Sequence, residues 1–294
     1  MSQLVKKIRT SAGDCQIDYN ALANLPTISN PNLLINSDFR DPVNQRGKTS
    51  YTTTNERIYT IDRWNIGQGT LTVNSASVIF EGNTTAGASA RWFGQKFERA
   101  LTGTHRVSFN CPVVTGEVLI IIRNNNDITN DIIYSISSGF NQFSISHPSG
   151  SFDEIFFRMV TNNKLEIEWI KLEQGTTVTP LVPKFKAEEL INCYRFFYSQ
   201  DSRLLMNEYS ALHADGNIYY PIKMRTTPKV TLLEGTYFSA AQNGFVEPAS
   251  LVVNGGHFSA YSATLKLEKN ANDTFSPGMS INANIKICLD AEIY

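Results

Sequence analysis

The chain has 294 residues, with 26 Lys+Arg against 27 Asp+Glu, so it lacks the basic surplus that a nucleic-acid partner requires. Only 18% of residues are charged, and although 41% are hydrophobic, no apolar run approaches the ~20 residues needed to span a bilayer. Asparagine, at 27, is as frequent as all the acids together, which gives a composition that is polar without being charged.

Residues 1–31 form a polar arm that closes on Leu25-Pro26-Thr27-Ile28-Ser29-Asn30-Pro31 and whose main apolar residues are Ile17, Tyr19, Leu22 and Leu25. The opening, Met1-Ser2-Gln3-Leu4-Val5-Lys6-Lys7, has no charged-then-apolar leader, so a cytoplasmic product without a signal peptide is expected. Residues 32–183 carry short strand-like runs broken by Gly, Asn and Pro, among them Val118–Ile122, Ile155–Val160 and Leu165–Trp169. The last alternates with period two and then breaks step at Trp169-Ile170, which predicts a bulge or a strand buried on both faces.

One helix is predicted, over 186–198. Ala187, Leu190, Ile191, Tyr194 and Phe197 fall on one stripe, and Glu188 and Glu189 suit the positive end of the helix dipole. Beyond it, Tyr261, Ala263, Leu265 and Leu267 alternate with polar neighbours, as do Ile281, Ala283, Ile285, Ile287 and Leu289. Both runs read as antiparallel strands with one buried face. The expected class is all-β: an antiparallel β-sandwich over 32–183, then a second, smaller β-sandwich domain over 184–294. No fixed-period repeat suggests a solenoid or propeller. The four cysteines, Cys15, Cys111, Cys193 and Cys288, contain no CxxC pair and read as buried free thiols, and the four histidines are scattered.

Several segments taken in order carry a resemblance. Asn32-Leu33-Leu34-Ile35-Asn36-Ser37-Asp38-Phe39, Gln45-Arg46-Gly47 and Ile61-Asp62-Arg63-Trp64 resemble the opening of a domain common in phage tail fibres and related receptor-binding proteins. Trp169-Ile170-Lys171-Leu172-Glu173-Gln174-Gly175 with Thr179-Pro180 is similar to its close. Glu188-Glu189-Leu190, Cys193-Tyr194-Arg195-Phe196-Phe197, Met224-Arg225-Thr226-Thr227-Pro228 and Asp290-Ala291-Glu292-Ile293 resemble segments C-terminal to that domain in the same family. Where members often carry a Trp after the Asp-Phe pair, this chain reads Arg40-Asp41-Pro42-Val43-Asn44. The resemblance implies a jelly roll similar to carbohydrate-binding modules, a small C-terminal β-domain as the receptor-binding tip, and a homotrimer on a virion tail. Residues 1–31 would attach to other tail or baseplate proteins, and the partner would be a bacterial surface glycan. A monomeric carbohydrate-binding accessory protein and a purely structural tail component are the alternatives.

Sugar recognition needs aromatic faces and planar polar partners. Trp64 and Trp169 read as core, whereas Trp92 is either core or an exposed contact. Tyr219-Tyr220 and Tyr237-Phe238 are candidate contacts, and because neighbours on a strand point to opposite faces, at most one of each pair can be core. Jelly rolls similar to carbohydrate-binding modules often hold a structural Ca²⁺, which makes Asn36, Asp38 and Glu173 candidate ligands by resemblance. The Asn124–Asp127 stretch with Asn130 and Asp131 offers further oxygens but reads as a solvated turn. No Gly-x-Ser-x-Gly, His-Glu-x-x-His or phosphate loop is present, and Asp153-Glu154 and Glu166/Glu168 read as strand-edge and solvent-face charges. A non-catalytic protein is expected.

Overall fold

The computed structural model describes residues 7–10, 13–16, 29–82, 91–124, 127–159, 163–239, 244–248, 250–269 and 279–292. Strands β1 (Lys7–Thr10) and β2 (Gly13–Gln16) pair as an antiparallel hairpin. Ile17, Tyr19, Leu22 and Leu25 of the expected arm lie outside the described residues.

The expected first sandwich is present. Its strands are β3 (Ser50–Thr53), β4 (Ile58–Tyr59), β5 (Asn65–Ile66), β6 (Gly69–Val73), β7 (Val78–Gly82), β8 (Trp92–Cys111), β9 (Val113–Val114), β10 (Val118–Asn124), β11 (Asp127–Ser135), β12 (Gly139–Met159), β13 (Lys164–Ile167) and β14 (Trp169–Gln174). One sheet runs β11-β10-β12-β8-β5-β4, with β14 also on β8, and the other runs β3-β6-β7-β13-β9. Side chains from both inner faces meet in one core, where Trp64 packs 4.9 Å from Phe39 and 4.9 Å from Phe93.

Two strands are far longer than their sequence suggests, β8 at 20 residues and β12 at 21. β8 changes partner along its length: Phe93 and Gly94 pair with β5, while His105–Asn110 pair with β14. β12 flanks both halves of it. The break in step at Trp169-Ile170 also has its cause. The chain leaves the smaller sheet after Ile167 and joins the larger one at Trp169, so the inward positions shift with the change of sheet.

The end of β14 is clamped by a buried ion pair. Lys171 and Glu173 sit two residues apart on one face of the strand, with Nζ 3.2 Å from Oε2. The ammonium donates to Ser29 Oγ, Thr179 Oγ1 and the Thr179 and Pro180 carbonyls, and Glu173 accepts from the Thr179 N–H at 2.8 Å. This pins the segment after β14 and residues 29–30 to the sandwich.

The helix α1 (Lys186–Tyr194) is shorter than expected. Phe197 continues the apolar stripe in sequence, but the Phe196 N–H bonds Cys193 O in a turn and Phe197 begins a strand, paired with Asp290. Only Cys193 of the helix is buried, and Ile191 is 52% exposed. Next come β15 (Phe197–Glu208), β16 (His213–Tyr219), β17 (Lys229–Ser239), β18 (Gly244–Val246), β19 (Ser250–Phe258), β20 (Ser262–Glu268) and β21 (Ser280–Asp290). They form one antiparallel sheet, ordered β18-β17-β21-β15-β16-β20-β19. β17 touches β19, so the sheet curls in a sandwich-like way over its own core of Met206, Tyr237, Leu265, Ile285 and Leu289. β20 and β21 show the alternating burial their sequence predicts, except that Tyr261 precedes β20 in a bend and is exposed. Among the described residues, no helix is long and apolar enough to cross a membrane.

A buried polar seam joins the two β-units. The Arg63 guanidinium pairs with Glu292 at 2.5 Å and lies 3.7 Å over the Phe196 ring. Arg63 holds a left-handed backbone (φ 71°), uncommon for a residue with a Cβ, and its N–H donates to Glu292 Oε1 at 3.1 Å. Arg46 pairs with Asp62 at 3.1 Å and stacks 3.7 Å over Phe197. The Gln45 amide donates to Asp62 Oδ2 and to the Phe197 carbonyl. Burial pushes the Asp62 carboxyl up to about 7, with Arg46 and Gln45 pulling the other way. Burial first, and then the Asp62, Glu189 and Glu292 carboxylates, push the Cys193 thiol up, so it stays protonated and inert.

Candidate functional site

The strongest candidate lies on the outer face of the larger sheet. Along β8, β10 and β12, alternate residues turn to the core: Phe93 from β8, Ile120 and Ile122 from β10, Ile155 and Phe157 from β12. Their neighbours point outward, and the register arranges them in three rows. Leu119, Arg158 and Trp92 form the first, Ile121, Phe156 and Gly94 the second, and Arg123, Glu154 and Lys96 the third. Leu119, Ile121, Phe156 and Trp92 pack together as an apolar cluster separate from the main core.

Arginines frame this shelf. Arg57, from the segment between β3 and β4, lies 4.4 Å over the Trp92 ring and pairs with Glu154 at 3.0 Å. Arg123 lies 4.9 Å over Phe156 and holds Asp131 with a two-pronged bond, at 3.0 Å from Nε and 2.6 Å from Nη2. Trp92 and Phe156 meet edge to face at 6.4 Å. Burial raises the Glu154 carboxyl above its ordinary range, and Arg57, Lys96 and Arg123 oppose that shift. Between these groups lies a hollow of about 110 Å³, lined by Arg57, Trp92, Arg123, Glu154, Phe156 and Arg158. The half-buried Trp92 ring, with Phe156 buried behind it, beside guanidinium donors suits a ring with one apolar face and polar substituents.

Of the candidate contacts, Trp92 therefore stands at the hollow. Tyr219 is 73% exposed and Phe238 is exposed, meeting Phe245 edge to face at 5.7 Å. Tyr220 and Tyr237 are buried in the core of the C-terminal unit and do not face a ligand, because the strand pleat turns one of each adjacent pair inward. Trp64 is core as expected. Trp169 is not: it lies half-buried, 6.1 Å from the exposed Phe140, in a second depression with Arg40 and Leu181.

The candidate metal ligands have structural partners and do not share one site. Asn36 bonds the Val43 backbone through both ends of its amide and also donates to the Asp62 carbonyl. Asp38 pairs with Arg40, and Glu173 belongs to the Lys171 clamp. Among the described residues, no group of three or more His, Cys, Asp or Glu is placed to hold a metal ion. Asn125 and Asn126 of the Asn-rich turn lie outside the described residues, and Asp131 of that turn serves Arg123.

Sequence reasoning missed Arg57, Arg123 and Arg158, which are far apart along the chain and meet only through strand register. It also misread Glu154 as a strand-edge charge, whereas it is buried beneath Arg57. The one available signal was the pair of charges, Glu154 and Arg158, that bracket the apolar Ile155-Phe156-Phe157.

Fold and site thus define an all-β, sandwich-type protein with an aromatic and arginine-lined hollow on an open sheet face. No protein-family model matches the chain, and no curated protein matches it. Among solved structures, it is similar to recombinant discoidin II of Dictyostelium discoideum at 6% identity and a TM-score of 0.22, over 74% of this chain and 84% of that one. A likeness of that score carries no argument, and the class rests on the chain's own sheets.

Proposed function

We propose that the protein is a non-catalytic, glycan-binding attachment protein of a phage or phage-derived tail, working as a homotrimer. The observation that carries glycan binding is the Trp92 hollow, where an aromatic wall and several fixed donors share an open sheet face. Sequence resemblance to tail-fibre proteins supports the tail setting, with residues 1–31 as the attachment to other tail proteins. Trimerisation is supported by the distribution of exposed apolar side chains. Among the described residues most of the large ones, including Ile191, Leu205, Tyr219, Phe238 and Phe245, belong to residues 184–294, where subunit contact would cover them. Three weak sugar contacts presented together gain avidity. Tyr219 and Phe238 also favour a second reading, in which the C-terminal unit makes its own contact at the tip.

Fluorescent protein bound to a panel of intact bacteria tests the reading, with light scattering on the same sample. A trimer gives about 99 kDa, three times 32.9 kDa. Trp92→Ala is expected to lower adsorption at least tenfold, in line with the ~1–3 kcal/mol a stacked ring contributes. Lost adsorption in Tyr219→Ala and Phe238→Ala with Trp92→Ala unaffected would move the contact to the C-terminal unit. A monomer near 33 kDa that still binds sugar would mark an accessory module. A trimer that binds no cells would mark a structural tail component.

A further inference from the structure

The charge arrangement of the hollow narrows the sugar it takes. Arg57 is matched by Glu154 and Arg123 by Asp131. Arg158 lines the same hollow opposite Trp92, yet it makes no hydrogen bond or ion pair with any described residue, and its Nε is buried without a partner. A buried donor left unpaired is costly, and native proteins leave few of them. One guanidinium therefore stands ready for an acceptor from outside.

We propose, resting on the glycan-binding reading above, that the hollow receives the carboxylate of an acidic sugar, with Arg158 as its charged partner and the half-buried Trp92 ring against the apolar edge of the pyranose. A guanidinium fork matches a planar carboxylate in a two-pronged bond. Size agrees: about 110 Å³ admits a carboxylate and the edge of a ring, leaving the remaining sugars along the open face. Specificity then comes from Arg158 itself, since a neutral sugar would leave it unpaired.

The test is titration calorimetry on the full chain with three probe pairs: digalacturonate and digalactose, 3′-sialyllactose and lactose, and cellobiuronic acid and cellobiose. Inorganic phosphate serves as competitor. At least one acid is expected to bind ten times or more tightly than its neutral counterpart, with affinity falling as salt rises and with little competition from equimolar phosphate. Arg158→Gln is expected to erase the acid preference, and Arg158→Lys to restore part of it. Equal affinity for acid and neutral partners, unchanged preference in Arg158→Gln, binding of no acid, or displacement by phosphate would each overturn the proposal. The wild-type comparison needs no variant to fold. Loss of all sugar binding in Trp92→Ala together with an Arg158→Gln that still prefers acids would sink this inference and leave glycan binding standing. Wild type that binds neither sugars nor cells would sink both.

Discussion

At Gly94 a Cβ would stand 2.3 Å from the Phe156 Cβ and 2.5 Å from the Ile155 carbonyl oxygen, both on the neighbouring strand. Neither is the free end of a flexible side chain, so β8 and β12 would have to separate where the hollow is built. Gly94→Ala is expected to cost about 1–3 kcal/mol in urea unfolding and to weaken ligand binding as well. An unchanged midpoint would show that the strands accommodate a methyl group there. The residue scale is also where sequence reading reached least far. Trp92 could be singled out because tryptophan is rare and chemically marked. Arg158 could not, because an arginine on a strand looks like any solvated charge until register places it beside Trp92 and leaves it unmatched.

For whole strands, sequence was a better guide. β20 and β21 were legible because each buries a single face, so hydrophobicity itself follows the pleat. β8 and β12 were not, because their outer faces carry Trp92, Phe156 and Ile121 beside charged residues, and the period-two signal drowns. The helix was placed correctly at its start and overrun at its end, since Phe197 is apolar for a different reason: it lies under the Arg46 guanidinium. The clamp on β14 makes its own prediction. Lys171→Met strands Glu173 in the interior and is expected to cost about 3–5 kcal/mol. It should also open residues 176–185 to limited proteolysis. Lys171→Met combined with Glu173→Leu should cost less than the two single losses summed, because the second change removes the orphaned charge. Strict additivity would mean that the pair is not coupled.

Between the two β-units, the sign of the pH response is set by Asp62. Its carboxyl titrates near 3.8 when exposed and is pushed up to about 7 at the seam, chiefly by burial. Between those values the native state holds a proton that the unfolded chain has released. Stability therefore falls as pH rises from about 4 to about 7 and levels off above that, with a slope of at most about 1.4 kcal/mol per pH unit from this group. In Asp62→Asn that share of the slope disappears, so the variant should gain on the wild type steadily from pH 4 to 7.5 in thermal melts. Parallel pH curves for the two proteins would remove Asp62 from the account. Gln45, Arg46, Asp62, Arg63, Phe196, Phe197 and Glu292, all from segments singled out in the sequence, gather at this same seam, whereas Lys171, Glu173 and Thr179 gather at the β14 clamp.

Over 92–96, 119–123 and 154–158, the stretches that carry the hollow, inward and outward side chains take turns, and Gly94 aside, the outward ones lie outside the main core. If the hollow binds a glycan as proposed, mutation at its half-exposed positions, such as Trp92 and Arg158, can rewrite the surface's preference at less cost to folding than mutation in the core. Pressure to change target and pressure to stay intact would then act on different letters of the same strands, so a lineage of such proteins could diversify its targets without rebuilding its scaffold.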